Sequence, residues 1–426
     1  MKLIAAIILT AMLACLTVND HAEEERVTVS PESEDIVYMG RWEKGEDGFM
    51  RGAFECGLVL RFTGTSIRVD GEASGTVLVA VDGGELQQKT LSRNTRVLRN
   101  LPDGEHTLEM YAAAQQMLPA FKGFTLDPGA HTLPTERGKI IEFIGDSIME
   151  GYVDPNDAIK GVVNSYMTSY AFRTGRELMN RYGMRFNTIA YGGIRIVGLG
   201  DNNTGNDPLG MPERYFLDRE YRSNPTAEAE RAAAHRWDTS KYAPDFIVIN
   251  LGTNDTSATN SQVSAAMLSF LRELRGAYAD AVIFVMTPFN GTKASALLEA
   301  VAGADDNNII LIDTASWNIK AGSDWLHPAP NEHVRAAGFL LEALTPYIEA
   351  AIAGPTEVPT DEPIDGSTAA PVDESAASPG ADDADDSDNK VVHRGGSLSA
   401  VPFVIGGIVL AAAAAVVALI SVRKKK

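Results

Sequence analysis

The chain has 426 residues, with 37 Lys plus Arg against 57 Asp plus Glu and a formal net charge of −20. That length accommodates two or three domains with a sizeable core, and 45% apolar residues is the proportion of a folded chain. So acidic a surface excludes a nucleic-acid binder, which needs a basic face for phosphate contacts.

Residues 1–22 read as a secretory signal, with Lys2 ahead of the apolar run LIAAIILTAMLACLTV. Residues 27–132 read as a β-sandwich of jelly-roll type. Leu58, Leu60 and Phe62 alternate with Val59 and Arg61, and Val77, Val79 and Val81 run into the hairpin signal Asp82-Gly83-Gly84. Pro102-Asp103-Gly104 marks a further turn before Leu108 and Met110 alternate again. Residues 137–353 change to strands alternating with helices. Apolar strands are expected at 140–144, 186–190, 246–251, 282–286 and 309–312, and helices at 165–182, 262–278 and 332–353. This alternation predicts a parallel sheet covered on both faces, with sites beyond the carboxyl ends of its strands.

The tail is of a different kind. Residues 354–400 are rich in Pro, Ala, Ser, Asp and Glu and predict a disordered tether. Eleven carboxylates there face Lys390 and Arg394, a local charge of −9 out of the total −20. Residues 401–421 carry no charge over 21 positions, enough at about 1.5 Å per residue to cross roughly 30 Å of hydrocarbon. Arg423, Lys424, Lys425 and Lys426 follow in the tail 422–426. The pattern predicts a retained transmembrane helix with a basic cytoplasmic end and the catalytic domains outside, at the cell surface. Beyond the signal, Cys56 stands alone, so no internal disulfide is expected.

Four strand ends carry chemistry. Gly145-Asp146-Ser147 follows the first parallel strand and puts a hydroxyl at the sheet's edge, beside its own backbone N–H. Tyr191-Gly192-Gly193 follows the second, where a glycine lets substrate approach a backbone N–H. Gly252-Thr253-Asn254-Asp255 follows the third, and an amide there is placed to donate to an oxyanion. Asp324-Trp325-Leu326-His327-Pro328 follows the last. Its spacing lets one turn set Asp324 against one ring nitrogen of His327 and leave the other for a nucleophile. Among the histidines only His327 has a carboxylate three residues before it in such a position. No cluster has zinc or calcium ligand spacing, so neither metal nor cofactor is expected.

This ordered set resembles the SGNH (GDSL-type) hydrolases, whose four blocks begin with Ser, Gly, Asn and His. The segments Met39-Gly40-Arg41-Trp42, Leu60-Arg61-Phe62-Thr63-Gly64-Thr65-Ser66 and Leu101-Pro102-Asp103-Gly104-Glu105-His106 look like the jelly-roll domain of carbohydrate esterase family two. The stretch Met211-Pro212-Glu213-Arg214-Tyr215 also looks like that family's insertion. The resemblance implies a three-layer, flavodoxin-like α/β domain behind a jelly roll. It implies removal of acetyl groups from plant polysaccharide such as xylan or glucomannan. Ser147 would be the nucleophile, His327 the base and Asp324 its partner, with the N–H groups of Ser147 and Gly193 and the amide of Asn254 as oxyanion hole. Some members use a Ser–His pair without the carboxylate; this sequence keeps Asp324. Trp317 and Trp325 are candidates to stack on sugar, and Tyr215 to line the cleft. Two alternatives stand beside this reading: an SGNH lipase or thioesterase acting on other esters, and an inactive surface carbohydrate-binding protein.

Overall fold

The computed structural model describes residues 25–72, 75–93, 95–114, 119–158, 166–198, 209–217 and 236–354. The expected signal, tether and transmembrane segment lie outside these residues, as does most of the polar insertion on either side of Tyr215.

The N-terminal region is antiparallel: β1 (Arg26–Val29), β2 (Ile36–Lys44), β3 (Met50–Thr63), β4 (Ile67–Gly71), β5 (Thr76–Val81), β6 (Gln87–Thr90), β7 (Thr95–Leu98), β8 (Glu105–Ala112), β9 (Ala120–Pro128) and β10 (Thr132–Leu133). One layer runs β6-β5-β8-β3-β2, and β1, β4 and β7 join through β9 and β4. Alternation explains the core between them. Leu58, Leu60 and Phe62 of β3, Val77 and Val79 of β5 and Leu108 and Met110 of β8 meet Val69, Phe124 and Leu126 from β4 and β9.

The C-terminal region is built on five parallel strands, β11 (Ile140–Asp146), β12 (Arg185–Tyr191), β13 (Phe246–Asn250), β14 (Val282–Met286) and β15 (Ile309–Ile312). Their order is β12-β11-β13-β14-β15, the 2-1-3-4-5 arrangement of doubly wound sheets. Its helices are α1 (Ser147–Glu150), α2 (Tyr170–Tyr182), α3 (Met211–Arg214), α4 (Asn260–Ala277), α5 (Ala294–Ala304) and α6 (Pro330–Ala353). The strands' period of two sends alternate residues to opposite layers. Phe143, Phe246, Val248 and Phe284 join Phe172 and Leu178 of α2 and Leu340, Leu344 and Ile348 of α6. Ile144, Ile247, Ile249, Ile283 and Val285 join Val263, Met267, Phe270 and Leu274 of α4 and Leu297 of α5. A capping box starts α4: Thr259 Oγ1 accepts from the Gln262 N–H at 3.2 Å, and the Gln262 side chain accepts from the Thr259 N–H at 2.9 Å.

The elements differ from the sequence reading mainly at their ends. The expected helix at 165–182 divides into a 3₁₀ turn at Tyr166–Thr168 and α2. Ser169 caps α2 by accepting from the N–H groups of Ala171 and Phe172, so the break comes from a capping hydroxyl inside an apolar pattern. Helix α6 is long and apolar enough to cross a membrane by length and composition. Its stripe of Ala336, Leu340, Leu344 and Ile348 is fully buried in the core.

The two regions form one compact unit. Thr188 of β12 pairs with Glu55 of β3, so the otherwise open edge of the parallel sheet is covered by the antiparallel region. Arg41 reinforces the joint. It is 2% exposed, donates to the Leu217 carbonyl at 2.7 Å and lies over the rings of Phe54, Tyr215 and Trp237 at 4.9–5.2 Å.

Candidate active site

The site is assembled beyond the carboxyl ends of β11, β12, β13 and β15. Strand β11 runs straight into α1, and Ser147 is its first residue. Asp146 caps that turn by accepting from the Ile148 N–H at 3.0 Å. Burial pushes the Asp146 carboxyl up to about 7 against the pull of that N–H. Gly145 makes the turn possible: a Cβ there would stand 2.4 Å from Met149 Cβ.

Ser147 Oγ lies 2.8 Å from His327 Nε2, and His327 Nδ1 lies 2.5 Å from Asp324 Oδ2. A carboxylate only accepts, so Nδ1 carries the proton and Nε2 is left to accept from the serine hydroxyl. Burial disfavours the charge on Asp324, but the imidazole and the backbone N–H groups of His327 and Leu326 outweigh it and hold the carboxyl below its ordinary range. A serine whose proton has this path has the arrangement that activates a hydroxyl for attack.

The loop bearing Asp324 and His327 is closed on itself and fastened to the segment that follows α1. The Gly322 N–H donates to the His327 carbonyl at 2.7 Å. Asp157 accepts from the Ser323 N–H at 2.5 Å and from its hydroxyl at 2.8 Å. The ring of Tyr152 lies 4.4 Å from the imidazole, centroid to centroid.

The turn after β12 lies against Ser147. A Cβ on Gly192 would sit 3.8 Å from Ser147 Cβ and 3.5 Å from Glu150 Oε2, whereas one on Gly193 (φ 78°) would meet nothing within 4 Å. Asn254 reaches the same turn, its Nδ2 donating to the Ile194 carbonyl at 2.9 Å. An amide nitrogen has two hydrogens, so one stays available for a ligand.

The structure therefore brings together Ser147, His327 and Asp324, and sets Asn254 on the turn that carries Gly193. It separates two of the aromatic candidates from them. Tyr215 is fully buried; its hydroxyl donates to Glu142 at 2.5 Å and lies 3.0 Å from the Tyr278 hydroxyl, from which it can accept. Its ring is held beneath Arg41, so it is a core residue and no wall of the cleft. Trp317 is 8% exposed and stacks on Phe339 at 5.5 Å, again in the core. Trp325 is the opposite, 90% exposed with φ 62°, a strained backbone for an aromatic residue.

Asp157, Tyr152 and Asp255 lay outside the sequence reading as site residues. Asp157 and Tyr152 belong to no motif, and their partners are distant in sequence. Asp255 had a signal, as the last residue of the Gly-Thr-Asn-Asp block.

Comparison with known proteins bears on the domain and its fold. The profile of the GDSL-like Lipase/Acylhydrolase family matches residues 143–338, which span every group named above from Ser147 to His327. The chain carries a GDSL-like hydrolase domain. It is also 32% identical over 280 residues to the cellulase/esterase CelE of Acetivibrio thermocellus. That match takes in 61% of this chain but 32% of CelE, so the chain spans about a third of the length of its curated relative. Among solved structures, a family two carbohydrate esterase from Clostridium thermocellum in complex with cellohexaose is 26% identical, with a TM-score of 0.59 over 74% of this chain and 99% of that one. A family two carbohydrate esterase from Cellvibrio japonicus has a TM-score of 0.62 at 20% identity, over 76% of this chain and 98% of that one. The GDSL-like domain and the antiparallel region before it are thus both part of the shared fold.

Proposed function

We propose that this chain is a serine esterase that removes acetyl groups from polysaccharide of the plant cell-wall type, such as xylan or glucomannan. The observation that carries the reading is the Ser147–His327–Asp324 chain at 2.8 and 2.5 Å, set beside the Gly192–Gly193 turn in a GDSL-like domain. Similarity to family two carbohydrate esterases supports the substrate class.

The mechanism is two-step acyl transfer. Ser147 Oγ attacks the acetyl carbonyl as His327 Nε2 takes its proton, and Asp324 holds the imidazole in the tautomer that can do so. The oxyanion is held by the N–H groups of Ser147 and Gly193 and the free amide hydrogen of Asn254. Collapse expels the sugar hydroxyl with the proton from His327. A water, deprotonated by His327, then attacks the acetyl-serine and releases acetate. Trp325, exposed on the turn between Asp324 and His327, offers a face to a sugar ring.

In this reading the antiparallel region is the jelly-roll companion domain of such esterases. Residues 1–22 direct export, and 401–421 anchor the protein in the membrane with its catalytic end outside.

Acetate release by the purified protein from acetylated xylan and glucomannan, together with a series of aryl esters of rising acyl length, tests the proposal. Release from both polysaccharides and rates falling steeply beyond acetyl are expected. Preference for long acyl chains would make the protein a lipase or thioesterase. Polysaccharide binding without acetate release would make it a binding protein.

A further inference from the structure

The loop that carries Gly193 is held in part by packing, with Ile194 and Ile196 buried in the core, and by the Met211 N–H donating to the Arg195 carbonyl at 2.8 Å. Strand β12 ends at Tyr191 and the next helix, α3, begins at Met211. Gly193 has nothing within 4 Å of the point a Cβ would occupy, so side-chain packing there does not fix its place. To the packing of Ile194 and Ile196 is added a set of bonds arriving from the neighbouring strand end. Asp255 is fully buried, and each of its carboxylate oxygens accepts one backbone N–H, Oδ2 from Ile196 at 2.9 Å and Oδ1 from Val197 at 2.9 Å. Asn254 adds its bond to the Ile194 carbonyl at 2.9 Å. Three bonds from two adjacent residues thus land on residues 194, 196 and 197, directly after the glycine.

These bonds answer a need of the backbone. Past the end of a strand no ladder remains, and buried N–H groups left unpaired are costly. A carboxylate satisfies two at once with charge-assisted bonds, which are stronger and more directional than neutral ones. Burial raises the Asp255 carboxyl above its ordinary range, while the two N–H groups and the charges of Arg195 and Lys293 oppose that rise. The side-chain hydrogen bonds of Asp255 go to this loop, while its backbone N–H and carbonyl serve its own turn, bonding the Gly252 carbonyl and the Ala258 N–H.

We propose that Asp255 is a positioning residue for the oxyanion hole. Its carboxylate pins residues 196 and 197 and thereby sets the Gly193 N–H beside Ser147. The inference rests on the esterase reading and deepens it. Asn254 then has two tasks, donating one amide hydrogen to the oxyanion and using the other to anchor the loop, whereas Asp255 has only the second.

The test is Asp255→Asn, which keeps the side chain's size but turns one accepting oxygen into an NH₂ facing a backbone N–H. Rates are compared on an aryl acetate and the matching aryl thionoacetate, in which sulfur replaces the carbonyl oxygen. Sulfur accepts hydrogen bonds poorly and stands farther from its carbon, so a well-placed hole favours the oxygen ester. The expected result is a kcat on the oxygen ester lower by about tenfold to a hundredfold, within the range for losing part of such a hole, with KM changed less than about threefold. The oxygen-to-sulfur rate ratio should shrink with it. A variant that is merely unfolded loses both rates in proportion and keeps the wild-type ratio. Because the ratio does not depend on how much enzyme is folded, it is readable even if the variant is unstable. A wild-type ratio, with or without loss of rate, overturns the inference. Ser147→Ala measured alongside separates the two failures: activity persisting in that variant would remove the esterase reading itself.

Discussion

Replacing Asp324 by Asn tests the part of the site most tightly defined by geometry. The carboxylate accepts three bonds, from His327 Nδ1 at 2.5 Å, from the His327 N–H at 2.8 Å and from the Leu326 N–H at 2.9 Å. Oδ1 takes both backbone bonds and Oδ2 takes the ring. An asparagine keeps the two backbone bonds through its oxygen and places an NH₂ against the ring nitrogen. Nδ1 must then accept, which moves the imidazole proton to Nε2, where it faces Ser147 as a donor and can no longer take the serine's proton. Locking the wrong tautomer in this way costs on the order of 10⁴ in kcat, about 5.5 kcal/mol at 1.36 kcal/mol per tenfold. The Asp324 side chain keeps 23% of its accessibility, so water competes for the ring nitrogen and a loss on the order of 10³ is expected. KM should hold within about threefold, because the carboxylate stands behind the imidazole, away from substrate. Steady-state hydrolysis of an aryl acetate measures both constants. A variant within tenfold of wild type would refute the argument, showing that His327 adopts its working tautomer without Asp324.

Three further outcomes follow from the same structure. Trp325→Ala should raise KM for an acetylated oligosaccharide about fivefold, the worth of roughly 1 kcal/mol of aromatic contact, while aryl acetate hydrolysis stays unchanged; equal effects on both substrates would deny it a sugar platform. Tyr215→Phe removes a donor from buried Glu142 and should cost about 1–3 kcal/mol in chemical denaturation, with kcat unaltered; a specific rise in KM would return Tyr215 to the cleft. His106 is held between Asp82 and the Pro102 carbonyl at 2.8 Å each. Burial favours the neutral ring, but both acceptors favour imidazolium and raise its pKa above 6.5. Its contribution to stability is therefore complete below pH 6.5 and lost as pH rises through the folded-state value. Melting temperature followed from pH 6 to 9 should decline across that window, and less so in His106→Gln.

The features legible in the sequence were those fixed by short stretches of chain. The period of two with unbroken apolar runs located β11 to β15 to within a residue or two, because buried parallel strands have no polar face. The blocks ending those strands gave Ser147, Asn254 and the Asp324–His327 pair, because each depends on one turn. Tyr215 shows where that logic stops. Its neighbours Met211 to Arg214 suggested a cleft segment, yet its place is set by Arg41 and Glu142, from a different region and a different strand. Trp317 was likewise decided by Phe289 and Phe339, which no local pattern links to it. Asp255 was legible as a residue but not as a role, since its partners Ile196 and Val197 lie across an irregular loop with no periodicity to read.

The central claim is that acetyl transfer runs through Ser147. Acetate release from acetylated xylan by Ser147→Ala, measured against wild type under matched folding by circular dichroism, addresses it most directly. The account predicts release reduced to the uncatalysed background with the fold intact. Release at the wild-type rate would contradict it and place the chemistry elsewhere in the chain.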